Sequence, residues 1–71
     1  MAVAKIIEIV GNSTKGWEDA VRNAVAEAAE TVKGISGVEV RDMTAKVVKN
    51  KITEYKATVK IAFLVEETRK R

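Results

Sequence analysis

Apolar and polar residues change their spacing twice along this chain, and each change marks a boundary. From Val3 to Val10 the run V-A-K-I-I-E-I-V is short and rich in β-branched residues, and it stops at Gly11-Asn12-Ser13-Thr14, a turn and helix-capping cluster. This predicts a first strand. Between Thr14 and Lys33 the apolar residues Trp17, Val21, Ala24, Val25, Ala28 and Val32 recur at helical spacing, with Lys15, Glu18, Arg22, Glu30 and Lys33 between them. The spacing predicts one amphipathic helix of about five turns. Ser13 or Thr14 is placed to cap its first amides, Glu18 and Asp19 suit its N-terminal end, Lys33 its C-terminal end, and Gly34 a left-handed closing position.

After Ile35-Ser36-Gly37 the pattern becomes extended again, from Val38 to about Val48 and from Ile52 to Val65, with Lys49-Asn50-Lys51 between. Asn50 tolerates the positive backbone angle of a tight hairpin, so strand, turn and strand are expected. In the last strand Tyr55, Ala57, Val59, Ile61 and Phe63 share one face, opposite Glu54, Lys56, Thr58 and Lys60. The middle strand changes phase: Val38 and Val40 have one parity, Met43, Ala45 and Val47 the other. Either a bulge near Arg41 to Met43 or a strand whose two halves serve different surfaces accounts for the slip.

The expected class is therefore α+β, in the order β-α-β-β, with a three-stranded antiparallel sheet packed on one amphipathic helix. Such strands reach about 35 to 45 Å and a twenty-residue helix about 30 Å, so sheet is left uncovered. A chain of 71 residues also buries little apolar surface by itself. Self-association follows from that shortage.

Composition removes most catalytic chemistry. With no cysteine and no histidine there is no disulfide, thiol nucleophile, imidazole base or usual zinc site. Ser13 and Thr14 lack a base to activate them, and the strand lysines read as solvated or edge-blocking charge. Gly11-Asn12-Ser13-Thr14-Lys15-Gly16 lacks the spacing of a phosphate-binding loop. The protein is expected not to be an enzyme. The formal charge of +3 resides in Arg69, Lys70 and Arg71, because residues 1–68 carry ten basic and ten acidic groups. A neutral body argues against a nucleic-acid partner. No apolar run is long enough to span a bilayer and no secretory leader is evident, so the cytoplasm is the expected location, without a membrane partner. Residues 1–71 read as one domain, with 69–71 a flexible basic tail.

The stretch from Gly11 to Val32, G-N-S-T-K-G-W-E-D-A-V-R-N-A-V-A-E-A-A-E-T-V, resembles the dodecin family's G-T-S-x-x-S-x-x-x-A-I-x-x-A-I-x-R-A, directly after a strand of the K-I-I-E-I-V kind. Val38-Glu39-Val40 and Tyr55 to Phe63 (Y-K-A-T-V-K-I-A-F) resemble the family's second and closing strands, so the similarity is co-linear over nearly the whole chain. The resemblance implies a hollow homododecamer that binds and stores flavins such as riboflavin or FMN. In the family's flavin binders a tryptophan just before the second strand's glutamate stacks on the isoalloxazine ring, and a glutamine on the third strand bonds to the ring's edge. Those positions here are Gly37 and Lys56. A glycine offers no stacking face, and a lysine only donates where an amide also accepts, so weak flavin binding is expected. Trp17, in the first helical turn, is expected to pack on the sheet or on a neighbouring subunit.

Relatives without the tryptophan include calcium-binding assemblies, which gives a second expectation. Glu39, Asp42 and Glu54 are the carboxylates to watch, with main-chain carbonyls near Gly37, because an oligomer can gather by symmetry the six to eight oxygens that calcium needs. Surface ion pairs with Arg41, Lys46, Lys56 and Lys60 are the plainer use of the same carboxylates. A shell with no ligand is the third expectation.

Overall fold

A computed structural model describes residues 3–65, so the tail expected at 69–71 lies outside the described residues. The elements run β1 (Val3–Ser13), α1 (Trp17–Ala29), β2 (Ile35–Val48) and β3 (Lys51–Val65). They form one antiparallel sheet in the order β1-β3-β2. The class and element order are those the sequence predicts.

β3, central in the sheet, alternates apolar and polar residues from Glu54 to Ile61 and so presents one apolar line to the helix. Ala57, Val59 and Ile61 are fully buried and meet Ala20, Ala24 and Ala28 of α1, and these six residues are the core. Ile7, Ile9, Val21, Val25 and Ile35 close around it. The helix approaches the sheet closely at Gly11, where a β-carbon would stand 2.1 Å from the Ala20 carbonyl oxygen and 2.9 Å from the Ala24 β-carbon. Only glycine fits under alanine at that distance.

Three details differ from the sequence reading. β1 does not stop at Gly11 but pairs on through Ser13, which lies opposite Tyr55. Ser13 and Thr14 do not cap the helix: Gly16 precedes its first residue and no side chain bonds its free amides. The buried Ser13 hydroxyl instead accepts from the Lys15 N–H at 2.8 Å and donates to Asp19 at 2.7 Å, so it braces the loop against the first turn. The helix also ends at Ala29 after 13 residues, and Gly34, with φ +79°, turns the chain into β2 rather than closing the helix. Its backbone carbonyl accepts from the Leu64 N–H at 3.0 Å, which ties that turn to β3.

The hairpin turn places both Lys49 (φ 54°) and Asn50 (φ 68°) in the left-handed region, the geometry that matches the twist of the flanking strands. The expected bulge is present: the register slips between Val40 and Asp42, leaving Arg41 as the extra residue, and β2 slips again between Ile35 and Gly37. A third slip, between Lys46 and Val47, adds Thr53 on the β3 side.

A short helix on long strands makes a thin body of 61 × 19 × 12 Å. Its radius of gyration is 15.1 Å. A compact chain of this length would have about 11 Å.

Candidate functional site

Cross-strand partners share a face of the sheet, so the register shows what each side displays. The side away from α1 is read in rows across β1, β3 and β2: Ile6, Ala62 and Gly37; then Glu8, Lys60 and Glu39; then Val10, Thr58 and Asp42; then Asn12, Lys56 and Thr44. Lys46 and Glu54 follow without a β1 partner. Both ligand-site positions named from the sequence, Gly37 and Lys56, are therefore on this outer face.

They are not adjacent. Gly37 pairs with Ala62, which is six residues along β3 from Lys56. At roughly 3.3 Å per residue that is about 20 Å. A three-ring ligand cannot touch both positions of one chain. The space over Gly37 is open, with no atom within 4 Å of where a β-carbon would stand and no left-handed backbone to forbid a side chain. Lys56 is exposed, between Asn12 and Thr44.

The three carboxylates are equally dispersed. Glu39 lies opposite Lys60, Asp42 opposite Thr58 and Glu54 opposite Lys46. Glu39 also meets Arg41 at 3.4 Å, and both side chains are largely exposed. Among the described residues no three acidic groups gather into a metal-sized cluster. Glu39, Asp42 and Glu54 do not form a calcium site within one chain.

The helix side holds a feature that sequence reasoning missed. α1 lies over β1 and β3, leaving an open groove of about 390 Å³ against β2, lined by Trp17, Glu18, Val21, Arg22, Val40 and Met43. Trp17 sets one end of it. Its indole N–H donates to the Thr44 carbonyl at 2.8 Å, and its ring meets Tyr55 edge to face at 4.8 Å. The tryptophan packs on its own sheet, as one of its two expected uses required. The signal for the groove was present in the phase change that turns Met43 to the helix side and in the i,i+4 spacing of Trp17 and Val21, but neither says that the two lines meet.

These features define a class: a small β-α-β-β subunit with an alanine-lined core, apolar surface left bare on both faces, and Gly37 and Lys56 too far apart for one small ring system to reach both. Comparison with known proteins agrees. The Dodecin family model matches residues 3–66. A dodecin from Thermus thermophilus is 32% identical over 66 residues, spanning 93% of this chain and 96% of that one. The crystal structure of a Thermus thermophilus protein superposes with a TM-score of 0.91 at 31% identity, covering 96% of this chain and all of the other. A calcium dodecin from Mycobacterium tuberculosis, described as a calcium-chelating antigen with a novel calcium-binding site, superposes at 0.78 with 28% identity, covering 97% of this chain and 99% of that one. The chain belongs to the dodecin family.

Proposed function

We propose that this protein is a non-enzymatic, cytoplasmic flavin-binding and storage subunit that works as a homododecamer and holds its flavin weakly. The single observation that carries this reading is the separation of Gly37 from Lys56 on one face of the sheet, about 20 Å by the strand rise. Family membership makes flavin the first ligand to consider, and that separation requires the two positions to come from different subunits around each bound ring. An oligomer is then part of the binding site as well as a remedy for the small core. Weakness follows from chemistry at the two positions. Aromatic stacking contributes about 1 kcal/mol per contact, or about fivefold in affinity, and Gly37 supplies none of it. Lys56 offers N–H donors to a carbonyl or phosphate oxygen but nothing to a ring N–H.

Flavin fluorescence tests the reading directly. Riboflavin or FMN titrated with tens of micromolar protein should be quenched modestly by the natural chain and at least fivefold more tightly by Gly37→Trp with Lys56→Gln. Absence of quenching by the folded double variant would end the flavin assignment.

A second reading is supported by the calcium dodecin among the structural relatives. Glu39, Asp42 and Glu54, dispersed in one chain, would be brought together by symmetry to hold calcium. Calorimetry with calcium then gives a signal that Glu39→Gln and Asp42→Asn abolish. Titrations unchanged by those variants would remove both residues from any cation site.

A further inference from the structure

We propose that the β2–β3 hairpin beyond Tyr55, residues 45–54, is a docking arm that seats in the groove between α1 and β2 of a second copy of this chain. The inference rests on the homo-oligomeric reading above and adds which surfaces meet. β1 makes its last pairing between Ser13 and Tyr55, and α1 begins beside the Tyr55 ring, so past that point the sheet is a two-stranded ribbon with no helix over it. A two-stranded ribbon alone is marginally stable in water. This one exposes Val47 (60%), Val48 (43%) and Ile52 (48%), residues that would be costly to leave wet along an unsupported element.

The groove is a matching vacancy. Val40 (43% exposed) and Met43 (59%) form its floor on the strand side, and Trp17 and Val21 its helix side. The arm cannot fill the groove of its own chain, because β2 and β3 run without a break from the groove into the arm. Charge favours the same pairing. The arm carries Lys46, Lys49 and Lys51 against Glu54, a balance of +2, whereas α1 carries Glu18, Asp19 and Glu27 against Arg22, a balance of −2. On the groove's rim itself Glu18 is already paired to Arg22 at 2.8 Å, so the complementarity is between the arm and the helix as a whole rather than at that carboxylate. Area is consistent with a partner as well. The chain exposes 5401 Å². A compact monomer of 7.8 kDa would expose about 4,400 Å². The excess of about 1,000 Å² is the size of one partner's share of a stable interface, about 800 Å². An arm of one copy in the groove of the next is a head-to-tail contact unless two copies exchange arms, and it closes into a ring where the rotation between copies allows.

Because the chain has no cysteine, engineered thiols report this contact without ambiguity. Differently tagged Ile52→Cys and Met43→Cys chains, co-expressed and oxidised, should yield disulfide-linked heterodimers. Val10→Cys, on the outer face, should not link to Ile52→Cys. In parallel, Val47→Lys with Ile52→Lys should lower the assembly's mass by light scattering while the circular dichroism of the folded chain persists. Linkage of Ile52 only to itself, or an unchanged assembly mass in the double-lysine protein, would overturn the arm-in-groove contact and leave the oligomer standing. A natural chain that is monomeric at micromolar concentration would overturn the oligomer itself. If the double-lysine protein fails to fold, the thiol pairing decides alone.

Discussion

The two ends of the sheet follow opposite rules. At the helix-covered end Gly11, Ala20 and Ala24 press together until no methyl group can be added, and Ala57, Val59 and Ile61 are sealed beneath. At the other end, past Tyr55, valines and isoleucine of similar size stand in solvent. The contrast teaches that the apolar content of this chain is divided between making a subunit and making a surface. The helix alanines and the Ala57-Val59-Ile61 line serve the first task, and Val47, Val48 and Ile52, of the same branched types as the buried pair, serve the second.

Substitutions can break that contrast if it is mistaken. Gly11→Ala should have the largest effect, because the new methyl meets the Ala20 backbone and the helix must lift; a loss of about 1 to 3 kcal/mol is expected, read as a fall in melting temperature. Melting unchanged by Gly11→Ala would mean that the helix is not held where it lies. Ser13→Ala should come next. It removes the bonds to Asp19 and to the Lys15 amide, at a cost of about 1 kcal/mol in urea unfolding.

At the bare end the direction reverses. Lys49→Asn with Asn50→Gly places at the two left-handed positions the residues they prefer, and a gain of about 0.5 to 1 kcal/mol is expected in the same assay. A loss there would show that Lys49 serves the arm's contacts more than the turn's geometry. Gly37→Ala should change stability by less than about 0.5 kcal/mol, since its methyl enters open space. It is the sharpest control for Gly11, being the same substitution in the same sheet.

The sequence displayed the parts of this fold that are local or strictly periodic. Alternation in β3 announced the buried Ala57-Val59-Ile61 line, the parity change in β2 announced the Arg41 bulge, and Asn50 announced the turn. What it concealed depends on contacts between elements. Gly11 to Ser13 has the composition of a cap, yet pairing with Ala57, Lys56 and Tyr55 keeps it in the strand. Ala20 is the most buried residue of α1 and gives almost no signal in a hydrophobic pattern, because its importance comes from the closeness of Gly11. Val32 continues the helical spacing, but the chain leaves the helix after Ala29 to reach β2. Of the candidate site, Gly37 and Lys56 were nominated one by one from their neighbours in the chain. The distance between them was not, because it is set by a register that slips at Ser36 and Arg41.

The central position of β3 has one more consequence, for the order of events when the chain is made. Every ladder in the sheet includes β3, the last of the four elements, and β1 reaches it across pairings as distant as Val3 with Val65. While the ribosome is still extending β2, only the helix has its partners for hydrogen bonding. The β2–β3 hairpin, closed by a two-residue turn, is the cheap first loop, and β1 joins by a longer closure whose nearest pair, Ser13 with Tyr55, is 42 residues apart in the chain. Folding is therefore expected to start at the hairpin and finish at the Gly11 contact, with hairpin amides protected before those of β1 in pulsed hydrogen exchange, so the barest end of the subunit would be the first to take shape.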